Sequence, residues 1–545
     1  MTSSINKPDF KTILHAIDWK LLLFLTLVLD VKLVVKIAAI VVIYLLRFNF
    51  RFKFSLKNSR LPLFYPLIIL IAFVGFVVND TFDSPNYLPV FFAGLAFWAM
   101  CLLTAHQVKL AVENNDAEVI HRTILVFFVI NTIVSLFNIG LIIFKTGALN
   151  PYVYQGEYQK YFIQTGDYIR GITFDVSTTN AVINAVGLIY FFVRKNIPMT
   201  LVCMIVLLLT GSNFTNLALM IVLVLLFFFK TNKDQKSILV VCAMLLLVFT
   251  AKISPQNNRY TYETIKNMVD APTRATIAWA DTGKQPPLSA MDIKRQIAKK
   301  YLDSVKVRLL AMHPQKSPMR IIPFVGEGRY IVPGPDINTP PYQTATDTDS
   351  EEQQLLAFIG AHKTVLPISS KNSFSYGIPG KGIAFLQTAK FLKLHPLKAL
   401  AGDGIGNFSS KIAFKATALG LQGGYPVKYA YISGDFMSNH LDVFLNFFSK
   451  KVELHSLTNN PSSVYDQLLS EYGILGIAAF CFFYLGFFIR QHRYLSYGLP
   501  ILLLVLAVFF IDYWFEQLSV IVFFELLLFL DIKEHQTKLA VNELN

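Results

Sequence analysis

Repeated apolar runs, many of about 18–25 residues, constrain this chain more than any other feature. A helix of that length crosses a bilayer core of roughly 30 Å, and few other structures bury so much apolar side chain in one stretch. The sequence predicts spans at 19–29, 31–46, 62–79, 87–110, 119–144, 173–193, 198–210, 214–230, 236–252, 473–489, 496–512 and 515–531. The first two, separated by Asp30 and Lys32, read as a tight pair or as one bent span. The chain is 54% hydrophobic, holds 48 Phe and is only 15% charged, too little polar surface to cover a soluble globule. The expected fold is an all-α polytopic membrane protein of about 12 transmembrane helices, with one large extracytoplasmic loop domain between the ninth and tenth.

The distribution of charge orients these spans. Arg47-Phe-Asn-Phe-Arg51-Phe-Lys53, with Lys57 and Arg60, is the most basic loop, and the excess of Lys and Arg in such loops marks the cytoplasmic side. Arg194-Lys195, Lys230/Lys233/Lys236 and Arg490/Arg493 fall on the same side by alternation, whereas 79–86 and 211–213 carry no Lys or Arg. The loop 113–118 is the acidic exception. The net charge of +14 is therefore read as orientation signal and not as a nucleic-acid footprint. Cys101, Cys203, Cys242 and Cys481 lie in apolar spans and read as packing residues, with no metal or disulfide spacing. Met1–Ala16 lacks the apolar core and cleavage site of a signal peptide.

The expected organisation is an N-terminal membrane bundle (1–252, with an outer loop at 146–172), an extracytoplasmic domain (253–472), C-terminal helices (473–531) and a cytoplasmic tail (532–545). Within the excursion, Met291–Met312 reads as an amphipathic helix with Ser289 and Asp292 as its capping box and a basic outer face, solvated or laid on lipid headgroups. The Pro-rich polar stretch near 333–354 reads as a disordered linker. Ile383–Leu394 reads as a helix ended by His395-Pro396.

Three stretches carry candidate chemistry. Arg170-Gly-Ile-Thr-Phe174, with Thr178-Thr179-Asn180, stands where an outer loop re-enters the membrane; its arginine either snorkels to headgroups or binds phosphate. Gly402-Asp-Gly404-Ile-Gly406-Asn407-Phe408 is a glycine-rich turn that permits close backbone approach. Ser463-x-x-Asp466 reads as a capping box, and Glu471-Tyr-Gly-Ile-Leu-Gly476 brings its helix into the bilayer, leaving a carboxylate at the boundary.

Arg-Gly-x-x-Phe before a span, Gly380-Lys381, His-Pro, Gly-x-Gly-x-Gly-Asn-Phe and Tyr-x-Gln-Leu-Leu-x-Glu-x-Gly-Ile-Leu-Gly occur in that order. In order and placement they resemble the O-antigen ligase and O-antigen polymerase superfamily of bacterial envelope glycosyltransferases. The resemblance implies an enzyme of the bacterial inner membrane that takes glycan from a polyprenyl-diphosphate donor on the periplasmic face and transfers it to a sugar hydroxyl. It implies no cofactor, no metal and no nucleic-acid partner; the partners are the lipid-linked donor, the glycan acceptor, the bilayer and other polysaccharide-assembly membrane proteins. Arg170 and Lys381 would carry catalytic positive charge and bind donor with Gly404, Gly406 and Asn407. Ser462-Ser463 stand where ligases have His-Asn, so His440, His455 or Glu471 is left to assist the acceptor, and a polymerase is favoured over a ligase. Gly211-Ser212-Asn213 lacks the cation of a Ser-Arg motif. A lipid-linked oligosaccharide flippase and a non-catalytic envelope scaffold are the alternatives; mostly uninterrupted apolar spans weigh against the flippase.

Overall fold

The computed structural model describes residues 16–56, 59–79, 86–154, 166–229, 231–254, 380–417, 425, 429, 431–440, 443–444, 457 and 460–544. The expected helix at 291–312, the linker near 333–354 and His455 lie outside them. No β-strand occurs among the described residues.

A helix occupies each apolar run. In chain order these are α1 (Trp19–Val28), α2 (Leu33–Leu46), α3 (Phe64–Val78), α4 (Tyr87–Asn114), α5 (Ala117–Thr146), α6 (Ser177–Val193), α7 (Ile197–Leu209), α8 (Asn213–Phe229) and α9 (Lys233–Val248). Between α9 and the next apolar helix the described residues hold four helices: α10 (Gly380–Leu394), α11 (Pro396–Ala401), α12 (Lys411–Ala416) and α13 (Gly434–Asn439). The chain closes with α14 (Val464–Ala479), α15 (Gly498–Val508), α16 (Trp514–Gln517) and α17 (Ser519–Leu544). Among the described residues four helical segments are long and apolar enough to cross a membrane: Tyr87–Asn114, Ala117–Thr146, Lys233–Ile253 and Val464–Ile489. Seven further apolar helices run to 10–17 residues, about 15–25 Å at 1.5 Å per residue.

The first two helices form the expected tight pair, and some later boundaries differ from the expected ones. The first apolar stretch is two separate helices, since Asp30 accepts from the Lys32 amide at 2.8 Å and turns the chain between α1 and α2. The last span begins at Ser519 and its helix runs on through the expected cytoplasmic tail to Leu544. The helix expected to open at Ser463 does begin at Val464, with Ser463 at its N-cap, and it runs on into the apolar stretch expected from 473, carrying Glu471 within it. Cys101, Cys203 and Cys242 are buried as expected, whereas Cys481 is exposed on the helix surface.

Polar contacts sort the helix termini into two ends. At one, Asp18 accepts from Arg47 and from Asn115 (2.9 Å), Arg60 donates to Glu113 (3.1 Å), Arg194 to Glu534 (2.9 Å) and Lys533 to the Val112 carbonyl (2.7 Å). At the other, Lys36 donates to Ser519 (2.7 Å), Asn79 to the Gly402 carbonyl (3.1 Å), Tyr87 to the Ile405 carbonyl (3.0 Å) and Asn150 to the Ile253 carbonyl (3.0 Å). The basic 47–60 loop is at the first end; Arg170, both ends of the excursion and α10–α13 are at the second.

Candidate active site

The Arg170 turn is sunk among α5 and α6 by a ladder of buried amides. Asn138 accepts from the Arg170 and Gly171 amides at 3.2 and 3.1 Å, and Asn131 from the Ile172 amide at 3.0 Å. Asn131 in turn donates to Asn180 (2.9 Å), which donates to Ser135 (3.1 Å) and to the Ile169 carbonyl (3.0 Å). Asn131 and Asn180 are buried, and each thereby pairs at several positions, as buried polar groups require. Gly171 has φ +58°, and a Cβ there would meet Asn131 at 2.4 Å, so the motif's glycine is demanded by the amides beneath it. The Arg170 side chain stays exposed, its guanidinium 5.8 Å from the Tyr168 ring, and pairs with no carboxylate among the described residues.

The glycine-rich turn is built against a break in α14. Gly473 has φ 65° and ψ −161°, which interrupts the helix. The turn supplies backbone partners there: the Asp403 amide donates to the Ser470 carbonyl (2.9 Å) and the Gly404 amide to the Glu471 carbonyl (3.1 Å). A Cβ on Gly402 would lie 2.2 Å from the Glu471 carbonyl, and one on Gly406 2.3 Å from Val90. Gly402, Gly404 and Gly406 all have positive φ, as close approach at a tight turn demands. Asn407 donates to the Asp403 carbonyl (2.7 Å) and accepts from Tyr431 (2.8 Å). The Gly404 amide is thus spent on α14, and the Asn407 side chain on the turn itself and on Tyr431.

Lys381 and Lys398 bind protein groups. Lys381 donates to the Ser462 carbonyl and, at 3.3 Å, to the Ile511 carbonyl, tying α10 to the α14 start and the α15 end. Burial lowers its ammonium to about 8 against the pull of Asp512 and Asp466. Lys398 bridges Asp403 (2.6 Å) and Asp435 (2.5 Å). Burial works against that ammonium, yet the two carboxylates together hold it above its ordinary value.

Next to the break lies a buried polar cluster. Glu471 accepts from the Phe408 amide at 3.3 Å, and its second oxygen has no partner among the described residues. His440 places Nε2 3.1 Å from the Ser409 hydroxyl and 3.5 Å from Asp466, while its Nδ1 and both Asp466 oxygens form no hydrogen bond among the described residues. Ser409 also meets the Tyr513 hydroxyl at 3.0 Å. Glu516 accepts from the Ile412 amide at 3.0 Å and from Gln467, holding α12 and α14 to α16. The rings of Phe408, Phe436 and Phe444 pack on His440 at 5.0–6.4 Å. An imidazole and a carboxylate this enclosed are costly to keep unless they are used.

The expected capping box at Ser463 does not form. Ser463 holds the N-cap position, but its hydroxyl reaches toward the Phe509 carbonyl (3.4 Å) and Asp466 turns to His440. The sequence alone gives no role to Asp466, Ser409, Tyr513 or Glu516 at such a site. Glu516, a carboxylate within an expected apolar span, carried a usable signal; Asp466 did not, because a capping residue and a site residue look alike in one dimension. Among the described residues no His, Cys, Asp and Glu group is arranged to hold a metal ion.

Comparison with family models, curated proteins and solved structures finds no match to this chain.

Proposed function

We propose that this protein is a membrane glycosyltransferase. It transfers or polymerises glycan from a polyprenyl-diphosphate donor onto a sugar hydroxyl during cell-surface polysaccharide synthesis, working as a polymerase and not a ligase. In this reading all 12 apolar helices span the bacterial inner membrane and the 253–472 excursion faces the periplasm. One observation carries it: the Arg170 turn and the glycine-rich turn, distant in sequence, lie at the same end of the bundle, and next to the second is a buried His440–Asp466 pair whose Nδ1 and carboxylate oxygens form no hydrogen bond among the described residues.

The chemistry follows from those groups. The acceptor oxygen forms a bond to the anomeric carbon of the donor sugar as the bond from that carbon to the diphosphate breaks. The acceptor proton passes to His440, whose imidazolium Asp466 stabilises, as a carboxylate does for a general-base histidine. The lipid diphosphate leaves with the bonding electrons, and Arg170, exposed and paired with no carboxylate among the described residues, offers it a bidentate cation. Lys381, engaged by two carbonyls, keeps the mouth of α14 in place.

One observation favours a lipid-linked oligosaccharide flippase as the second reading: α14 is discontinuous at Gly473, and broken helices line transport sites. Reconstitution with a defined polyprenyl-diphosphate glycan separates the readings. Elongation supports the glycosyltransferase, movement of the lipid across the bilayer without elongation supports the flippase, and neither leaves a scaffold.

A further inference from the structure

The link between α2 and α3 alternates phenylalanine with polar or basic residues: Phe48, Phe50, Phe52 and Phe54 are interleaved with Asn49, Arg51 and Lys53. The segment is not helical, and its rings form a continuous row, Phe48 to Phe50 at 5.2 Å, Phe50 to Phe52 at 6.4 Å and Phe52 to Phe54 at 6.0 Å between centroids. The row is fastened to the bundle where Phe50 stacks on Tyr44 (4.9 Å) and Phe52 packs on His106 (4.5 Å). The backbone is held as well. Arg60 donates to the Arg51 carbonyl (2.7 Å), the Arg51 amide donates to Asn49 (2.8 Å) and the Arg60 amide to the Lys53 carbonyl (3.3 Å).

This fastened row is nonetheless turned outward. Phe48 is 81% exposed and Leu56 80%, and Phe50 and Phe54 are exposed too. It continues the outward apolar face of α2, where Val41, Val42, Leu45 and Leu46 are exposed. Its cations divide sharply. Arg47 and Arg60 are taken up by Asp18 and Glu113, whereas Arg51 and Lys53 are exposed and pair with no carboxylate among the described residues. Lys20, exposed on α1, donates to the Leu46 carbonyl (3.3 Å) and adds a third charge at the same edge.

An aromatic row that prolongs an outward apolar face and is interleaved with cations that meet no carboxylate among the described residues matches the boundary between acyl chains and headgroups. We propose that this strip is a binding site for anionic phospholipid: the phenylalanines seat in the acyl boundary and Arg51 and Lys53 hold the phosphate of an acidic headgroup. The occupant is a lipid and not a protein segment, because the strip is continuous with the belt of side chains facing the bilayer. The inference does not rest on the glycosyltransferase reading.

The test uses the full-length protein purified in detergent and titrated with phosphatidylglycerol or phosphatidylcholine, reading lipid retained by native mass spectrometry. The wild type is expected to prefer phosphatidylglycerol. A basic residue near an anionic surface contributes about a fivefold preference, so R51Q with K53N is expected to lower it about 25-fold. Asparagine is chosen because Lys53 holds φ +51°, which asparagine tolerates. Arg122→Gln, an exposed cation at the same end already paired with Glu118, is expected to leave the preference unchanged. Equal retention of both lipids by the wild type, or an undiminished preference in the double variant, overturns the proposal. Placement is read separately in phosphatidylglycerol nanodiscs, with Phe48→Cys in a Cys481→Ser background carrying a polarity-sensitive fluorophore. Quenching by brominated lipid is expected; an aqueous emission with no quenching overturns the proposal.

Discussion

Lys398 shows what a single buried charge does in this molecule. It is the shared partner of Asp403 and Asp435, and Asp403 is buried beneath the glycine-rich turn. Lys398→Met removes the cation and leaves Asp403 uncompensated, which is expected to cost about 2 kcal/mol, below the usual cost for a broken buried pair because Lys398 is partly exposed. Asp403→Asn in the same chain should restore much of the loss, and thermal unfolding in detergent measures both. The His440–Asp466 pair is expected to behave differently. Asp466→Asn is nearly isosteric, so stability should hold while kcat for elongation falls about 10²–10⁴-fold with donor affinity unchanged, as removal of a general base or its partner does. A variant with wild-type kcat would remove the pair from the mechanism.

At the scale of an element, α14 is the one whose irregularity matters most. A helix crossing lipid cannot leave backbone groups bare, and here the carbonyls of Ser470 and Glu471 are met by amides of the glycine-rich turn. The break and the turn therefore form one unit, although about 70 residues of chain separate them. Gly473→Ala should break that unit: its Cβ would lie 2.5 Å from the Leu400 carbonyl, on a backbone that only glycine adopts readily. A loss of about 3 kcal/mol is expected from strain and displacement together, read as a lower melting temperature. Gly140, by contrast, has open space where a Cβ would stand, with nothing within 4 Å, so Gly140→Ala should be neutral or slightly stabilising on its helix.

For the whole molecule the decisive property is which end faces which compartment. The contacts place the Arg170 turn and α11 at one end and the Phe48–Phe54 strip at the other. Leu397 on α11 and Phe174 beside the Arg170 turn are both exposed. In a Cys481→Ser background, Leu397→Cys and Phe174→Cys should react with a membrane-impermeant thiol reagent added to intact cells, and Arg122→Cys, exposed at the opposite end beside Glu118, should not. The reverse pattern would put the proposed site where no periplasmic donor reaches it, and the glycosyltransferase reading would end there.

The helices were legible because their signal is local. An apolar run reports its own preference for lipid, and Asp30 or His395-Pro396 ends a helix through its immediate neighbours. The positive-φ glycines at 402, 404 and 406 were legible for the same reason, since a Gly-x-Gly-x-Gly run announces a turn whatever surrounds it. The partners of that turn were not. That Asp403 and Gly404 would complete a broken helix, that Asp466 would abandon a cap for His440, and that Lys381 would be spent on two carbonyls depend on which distant segments arrive together. Residue spacing along one chain encodes helix and turn because those are short-range balances of sterics and burial. The cluster beside α14 is a sum of long-range contacts, and only the packed bundle brings its members within hydrogen-bonding distance.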